Sequence, residues 1–259
     1  MSSIDHYENF PVASWLCPAH LRPAVMALYK FARTADDLAD EGHEPAHHRL
    51  DALGEYRADL QTALSPSNKP SVRWANVFTP LQQVSQQFKL PVQPMFDLLD
   101  AFEQDVVYTS VGKGYRNRAE LLDYCRLSAN PVGRLMLHLY NVHDATALSQ
   151  SDAICTSLQL INLWQDRAED LIRGRDYLPE GHTLSAELRF ARDLMMQGAP
   201  LVHHIKGRAG WELRAVVQGG LYILDKLDSR TETADHTQLA QPTLKKQDLI
   251  RIFWRCIRM

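Results

Sequence analysis

The 259-residue chain has only four cysteines, Cys17, Cys125, Cys155 and Cys256, scattered with no C-x-x-C pair. This spacing suits free, buried, inert thiols in a reducing cytoplasm better than a disulfide frame or a zinc site. Long hydrophobic runs are missing too. The apolar stretch from Ala153 to Trp164 is interrupted by Thr156, Ser157, Gln159 and Asn162 and falls short of the ~20 residues of a membrane span. Met1 to Phe10 is polar and contains acids, so no secretory signal is expected. Neither sign of charge dominates: 28 Lys and Arg stand against 31 Asp and Glu, a net charge of −3, which argues against a nucleic-acid partner. No G-x-G-x-x-G follows a strand, and Gly112-Lys113-Gly114 is too short to bind a dinucleotide.

What is present is the balance of a folded protein, 45% hydrophobic and 23% charged. No long Gly, Ser or Pro linker, shift in composition or internal repeat divides the chain, so residues 1–259 are read as one domain. Strand-like alternation is nearly absent. Between the Pro and Gly marks lie long segments rich in Ala, Leu, Gln, Glu and Arg with helical periodicity. They predict helices at 22–41, 46–63, 72–88, 93–109, 118–128, 131–143, 149–172, 185–197, 210–228 and 245–257. The class is all-α, one large helical bundle.

Two of these helices carry acids in register. The first ends in Asp36-Asp37-Leu38-Ala39-Asp40-Glu41, where i, i+4 spacing turns Asp36 and Asp40 to one side, with Arg33 a turn earlier. The second repeats Asn162, Asp166 and Asp170 every four residues, with Gln159 a turn before Asn162. Among 31 acids, about four such pairs arise by chance, so one alone says little. The second stripe weighs more because Ile154, Leu158, Leu160, Ile161, Leu163 and Trp164 make the rest of its helix apolar, where unpaired charge is costly. A compensating cation explains both stripes. Hard oxygen ligands suit Mg2+, which keeps waters and takes one or two carboxylates together with substrate phosphate oxygens. Facing stripes would hold a diphosphate through Mg2+, with Arg33 and Arg175 as added donors, and this predicts ionisation to a carbocation.

These residues are where a family resemblance emerges. Phe31 to Glu41 resembles the first aspartate-rich motif of the squalene and phytoene synthase family. Asn162-Leu163-Trp164-Gln165-Asp166-Arg167-Ala168-Glu169-Asp170, followed by Gly174-Arg175-Asp176-Tyr177-Leu178-Pro179, resembles the second. Between them, Tyr124-Cys125-Arg126-Leu127-Ser128-Ala129-Asn130-Pro131-Val132-Gly133 matches the family's central signature in spacing. The likeness covers about residues 6–228 and is strongest to the bacterial hydroxysqualene synthase branch, through His6 to Ser14, Leu122 to Arg126 and Gln165. Members that condense two prenyl diphosphates usually carry arginine where Gln165 stands, and Tyr7, Glu8 and Asn9 replace residues that help hold a second diphosphate. The chain departs from the family pattern at Gly114, where an arginine often stands, and in its short segment after Pro179.

The resemblance implies a class I isoprenoid synthase bundle around a central cavity. It implies that Asp36, Asp40, Asn162, Asp166 and Asp170 bind Mg2+ and the diphosphate of presqualene diphosphate, and that water captures the rearranged cation as hydroxysqualene. Arg33, Arg175, Gln159 and His6 would contact substrate or its water; Tyr29, Tyr124 and Tyr177 would line the cavity, and Gly133 would leave space for an isoprenoid tail. A presqualene diphosphate synthase and a separate reductase would work beside it. A synthase joining two prenyl diphosphates and a non-catalytic helical binding protein are the alternatives.

Two features stand apart. His47-His48 and His203-His204 are adjacent pairs pointing to different helix sides, which fits a surface role rather than a metal site. Leu244 to Met259 combines Ile250, Phe253, Trp254 and Ile257 with Lys245, Lys246, Arg251, Arg255 and Arg258. That pattern fits either packing on the bundle or peripheral contact with the inner face of a membrane.

Overall fold

The computed structural model describes residues 16–40, 44–65, 71–232 and 246–259, and among these every regular element is a helix. In α1 (Arg22–Asp40), Ala24, Ala27, Phe31, Ala35 and Ala39 recur every three or four residues and form its buried stripe. This stripe packs on α3 (Ala75–Phe88) and α4 (Gln93–Ser110), with α2 (Ala46–Leu64) alongside. Phe31, Tyr56 and Phe78 meet at the centre, their ring centroids 4.6 to 6.3 Å apart. Each side chain so buried contributes about 1.5–3 kcal/mol.

The second half winds α5 (Arg118–Ser128), α6 (Asn130–Leu139), α8 (Leu184–Gly198) and α10 (Gly207–Glu232) around the long α7 (Ala145–Ile172). Leu121, Leu160, Leu188, Met195 and Leu224 are fully buried there. A short α9 (Leu201–His204) precedes α10, and α11 (Lys246–Arg258) packs on α10. No helix among the described residues is long and apolar enough to cross a membrane.

The sequence pattern predicts these helices closely, and the differences have local causes. α7 starts at Ala145 rather than 149 because the Asp144 side chain accepts the Ala147 N–H at 2.8 Å and caps the helix there. α6 stops at Leu139 rather than 143, and Asn141 then takes a left-handed backbone at φ 57°. The short α9 shows no period that a sequence pattern could reveal.

One boundary positions the candidate site. α7 ends in a Schellman motif: Gly174 has φ 79°, its N–H reaches the Leu171 carbonyl at 3.1 Å, and the Arg175 N–H reaches the Asp170 carbonyl at 2.8 Å. Glycine takes that φ without a Cβ clash, and the reversal returns Arg175 to the turn that carries Asp170. The short segment that follows is pinned. The Glu180 N–H bonds the Tyr115 carbonyl at 3.0 Å, and His182 Nδ1 lies 2.6 Å from fully buried Glu187, which also receives Arg118 at 2.7 Å.

Candidate active site

The C-terminal turns of α1 and α7 converge, and Arg175 joins them. Its guanidinium donates to both Asp40 oxygens, at 3.0 and 2.7 Å, while Nε donates to Thr109 Oγ1 on α4 at 2.9 Å. Arg33 spans Asp36 at 3.0 Å and Asp37 at 2.7 Å on α1. These cations do not fully offset the cost of burying the carboxylates. Burial first, and then the charge of Asp40, pushes the Asp36 carboxyl up to about 6. Burial also pushes Asp170 up to about 6, with Asp166 and Asp40 adding to the shift against the opposing pull of Arg175. Asp40 on α1 and Asp170 on α7 therefore feel each other across the site. Asp166 is raised by burial and by Glu169.

Asn162, Asp166 and Asp170 continue a ridge that begins with Ser151, Cys155 and Leu158, because steps of three and four residues keep all six on one face of α7. The first three line an apolar cavity of about 310 Å³ with Met136, Ile154 and Val216. One helix face thus runs from an oily pocket to a row of oxygen-bearing side chains.

Gly133 also lines this cavity. A Cβ there would lie 2.3 Å from Ser151 Oγ and 2.6 Å from Cys155 Sγ, so glycine is required by the close approach of α6 to α7. The Gly133→Ala variant should be destabilised by about 1–3 kcal/mol as those side chains are displaced. Urea unfolding would measure this, and an unchanged midpoint would contradict the packing argument.

Tyr124 and Tyr177 are not among the residues that line this 310 Å³ cavity. Both are buried, and their hydroxyls donate to Asp105 of α4, at 2.6 Å from Tyr124 and 3.3 Å from Tyr177. Tyr115 completes the cage, its ring 5.8 Å from each of the other two. Burial pushes the Asp105 carboxyl up to about 7, against the hydrogen bond from Tyr124 and the charge of Arg175. Asp105, Tyr115, Tyr177, Lys113 and Arg175 line a water-sized cleft of about 10 Å³. Lys113 Nζ donates to Tyr108 Oη at 2.6 Å, so a cation stands beside Gly114 although the expected arginine is absent.

Of the remaining candidates, Tyr29 is half-buried one turn before Arg33, and Gln159 is half-buried on α7. His6 lies outside the described residues. His47, His48, His203 and His204 are not buried, as the surface reading expects. Asp105, Thr109 and Tyr115 belong to no motif that the sequence singles out. The available signal was an acid in the stripe of Leu98, Ala101 and Asp105, where helical periodicity calls for an apolar residue.

No set of three His, Cys, Asp or Glu side chains among the described residues is arranged to hold one metal ion. The donors still fit Mg2+, which needs only one or two carboxylates per ion and completes its shell with water and phosphate oxygens. Such ions would offset the burial and the neighbouring carboxylates that raise Asp36 and Asp170.

Residues 5–188 match the squalene/phytoene synthase family. A hydroxysqualene synthase of Zymomonas mobilis is 39% identical over 173 residues, 66% of this chain and 54% of that protein. A phytoene synthase of Cereibacter sphaeroides is 31% identical over 179 residues, 66% of this chain and 48% of the relative. The chain spans about half the length of these relatives. The crystal structure of squalene synthase HpnC from Alicyclobacillus acidocaldarius superposes with a TM-score of 0.77 at 32% identity, covering 88% of this chain and 90% of that one.

Proposed function

The chain belongs to the squalene/phytoene synthase family, and within it we propose that it is a hydroxysqualene synthase: it ionises presqualene diphosphate and lets water capture the rearranged cation. The observation that carries this reading is the single face of α7 that passes from the apolar cavity to Asp170, opposite Asp40 and Arg175. An amphiphile with a long hydrocarbon and a diphosphate head matches that face. The relatives that share 35–39% identity and bear the name hydroxysqualene synthase support the branch, as does Gln165.

In the proposed reaction, the bond from carbon to the diphosphate oxygen breaks and its electron pair leaves with the diphosphate. Water oxygen then bonds to the rearranged cation, and its released proton passes to diphosphate or solvent. Asp36, Asp40, Asn162, Asp166 and Asp170 would hold Mg2+, which when bound neutralises the leaving diphosphate. Arg175 occupies both oxygens of Asp40 here, so ligation by Asp40 would free that guanidinium to turn toward phosphate. Lys113 and Arg33 would add donors. The apolar cavity would exclude bulk water and shape the folded chain, with electrostatic stabilisation of the departing anion as the main source of rate.

Another enzyme would supply presqualene diphosphate, and a separate reductase would carry the alcohol to the hydrocarbon. The lipid product also suits peripheral attachment to the inner face of a membrane. Incubation with Mg2+ and presqualene diphosphate should yield hydroxysqualene and diphosphate, and farnesyl diphosphate alone should yield neither. Turnover of farnesyl diphosphate would make the chain a synthase joining two prenyl diphosphates, and turnover of neither would make it a binding protein.

A further inference from the structure

The outer face of α11 is apolar and uncovered among the described residues. Leu249, Phe253, Trp254 and Ile257 are 55, 58, 55 and 47% exposed, although each is large and hydrophobic. At 100° per residue they occupy an arc of about 140° on one side of the helix. No acid interrupts that arc. Arg251 and Arg258 follow at its edge, exposed and without an ion pair among the described residues.

The opposite face is fully engaged. Ile252 and Cys256 are buried with Tyr222 of α10. Asp248 accepts the Tyr222 hydroxyl at 2.9 Å and Lys226 Nζ at 2.5 Å, and Arg255 donates to Asp225 at 2.9 Å. These contacts fix the rotation of α11 about its axis, so the aromatic stripe points outward by construction. Packing on the bundle and exposure of a greasy face, which the sequence leaves as alternatives, coexist in one helix. Ile250 lies outside the side chains described here.

We propose that α11 is a peripheral membrane anchor that lies flat on an anionic bilayer, burying Leu249, Phe253, Trp254 and Ile257 at the acyl boundary while Arg251 and Arg258 meet lipid phosphates. The occupant follows from the charge: a second copy of this face would bring together guanidinium groups that have no ion pair among the described residues, whereas anionic headgroups neutralise them. Tryptophan beside arginine matches the interfacial depth, where one end of the side chain is oily and the other wet. The proposal goes beyond the assigned reaction and does not depend on which diphosphate is the substrate.

Flotation of the full chain with vesicles tests it. Binding to phosphatidylcholine vesicles containing phosphatidylglycerol should exceed binding to phosphatidylcholine alone and weaken with salt. The double variant Phe253→Ser, Trp254→Ser should lower partitioning by about tenfold or more for each ring removed. The double variant Arg251→Gln, Arg258→Gln should abolish the preference for the anionic vesicles. Both pairs are exposed, so thermal unfolding should stay unchanged and separate lost binding from lost folding. Absence of flotation, flotation that the serine variant retains, or a dimer in sedimentation velocity that this variant dissociates would each overturn the proposal.

Discussion

Asp170→Asn is expected to lower kcat on presqualene diphosphate by about three orders of magnitude while raising the thermal midpoint of the metal-free protein. Both effects come from the same charge. In the fold, burial and the neighbouring carboxylates push Asp170 up to about 6 from an ordinary value of 3.8. A group raised on folding holds its proton more tightly in the native state, so the stability it contributes is fully present below pH ~4 and is lost as pH rises through about 6. At neutral pH the ionised side chain therefore weakens the fold, and the neutral amide relieves it. Asp36, also pushed up to about 6, adds to the same slope. Mg2+ with inorganic diphosphate should reverse the ranking, because ligands that bind only the folded state raise its stability. Differential scanning fluorimetry with and without Mg2+ and diphosphate would read this separately from turnover. A wild-type midpoint that ignores these ligands, or a variant midpoint that rises with them as much as the wild type, would remove Asp170 from the proposed metal site.

The acids on α1 and α7 were legible in the sequence because a helix writes its faces into i, i+4 spacing, and the order of two such faces is what suggests the proposed diphosphate site. The helices themselves were legible for the same reason, since Ala24, Ala27, Phe31, Ala35 and Ala39 declare a buried stripe before any contact is known. What could not be read was partnership across the chain. Asp40 and Arg175 are 135 residues apart, and nothing in either motif says that one guanidinium covers both oxygens of the other. Gly133 shows the same limit. It is recognisable as a place where bulk is unwelcome, but only the packing of α6 on α7 shows that Ser151 and Cys155 occupy the space. Tyr124 and Tyr177 look like cavity aromatics in one dimension, and in three they surround a carboxylate.

That carboxylate carries the second large effect. Asp105→Asn should reduce the fall in stability between pH 5 and pH 8 and lower kcat by about 10- to 100-fold, the range for residues that orient a site without touching the reacting atoms. Folding raises Asp105 from 3.8 to about 7, so its native form keeps a proton that the unfolded chain releases. Stability from this group is present below pH ~4 and declines through about pH 7, a total of about 4 kcal/mol across the window. Asparagine never ionises, so the variant should lose this slope and be more stable than wild type at pH 8. It keeps an oxygen to accept the Tyr124 hydroxyl, whereas Asp105→Ala leaves that buried donor unpaired at a cost of about 1–3 kcal/mol at low pH. Urea unfolding of the three proteins between pH 5 and pH 8 separates the two contributions. If Asp105→Asn retains the wild-type slope, the titrating group lies elsewhere. If its slope is lost but kcat is intact, the tyrosine cage supports the fold without positioning Arg175 and Tyr177 for the chemistry.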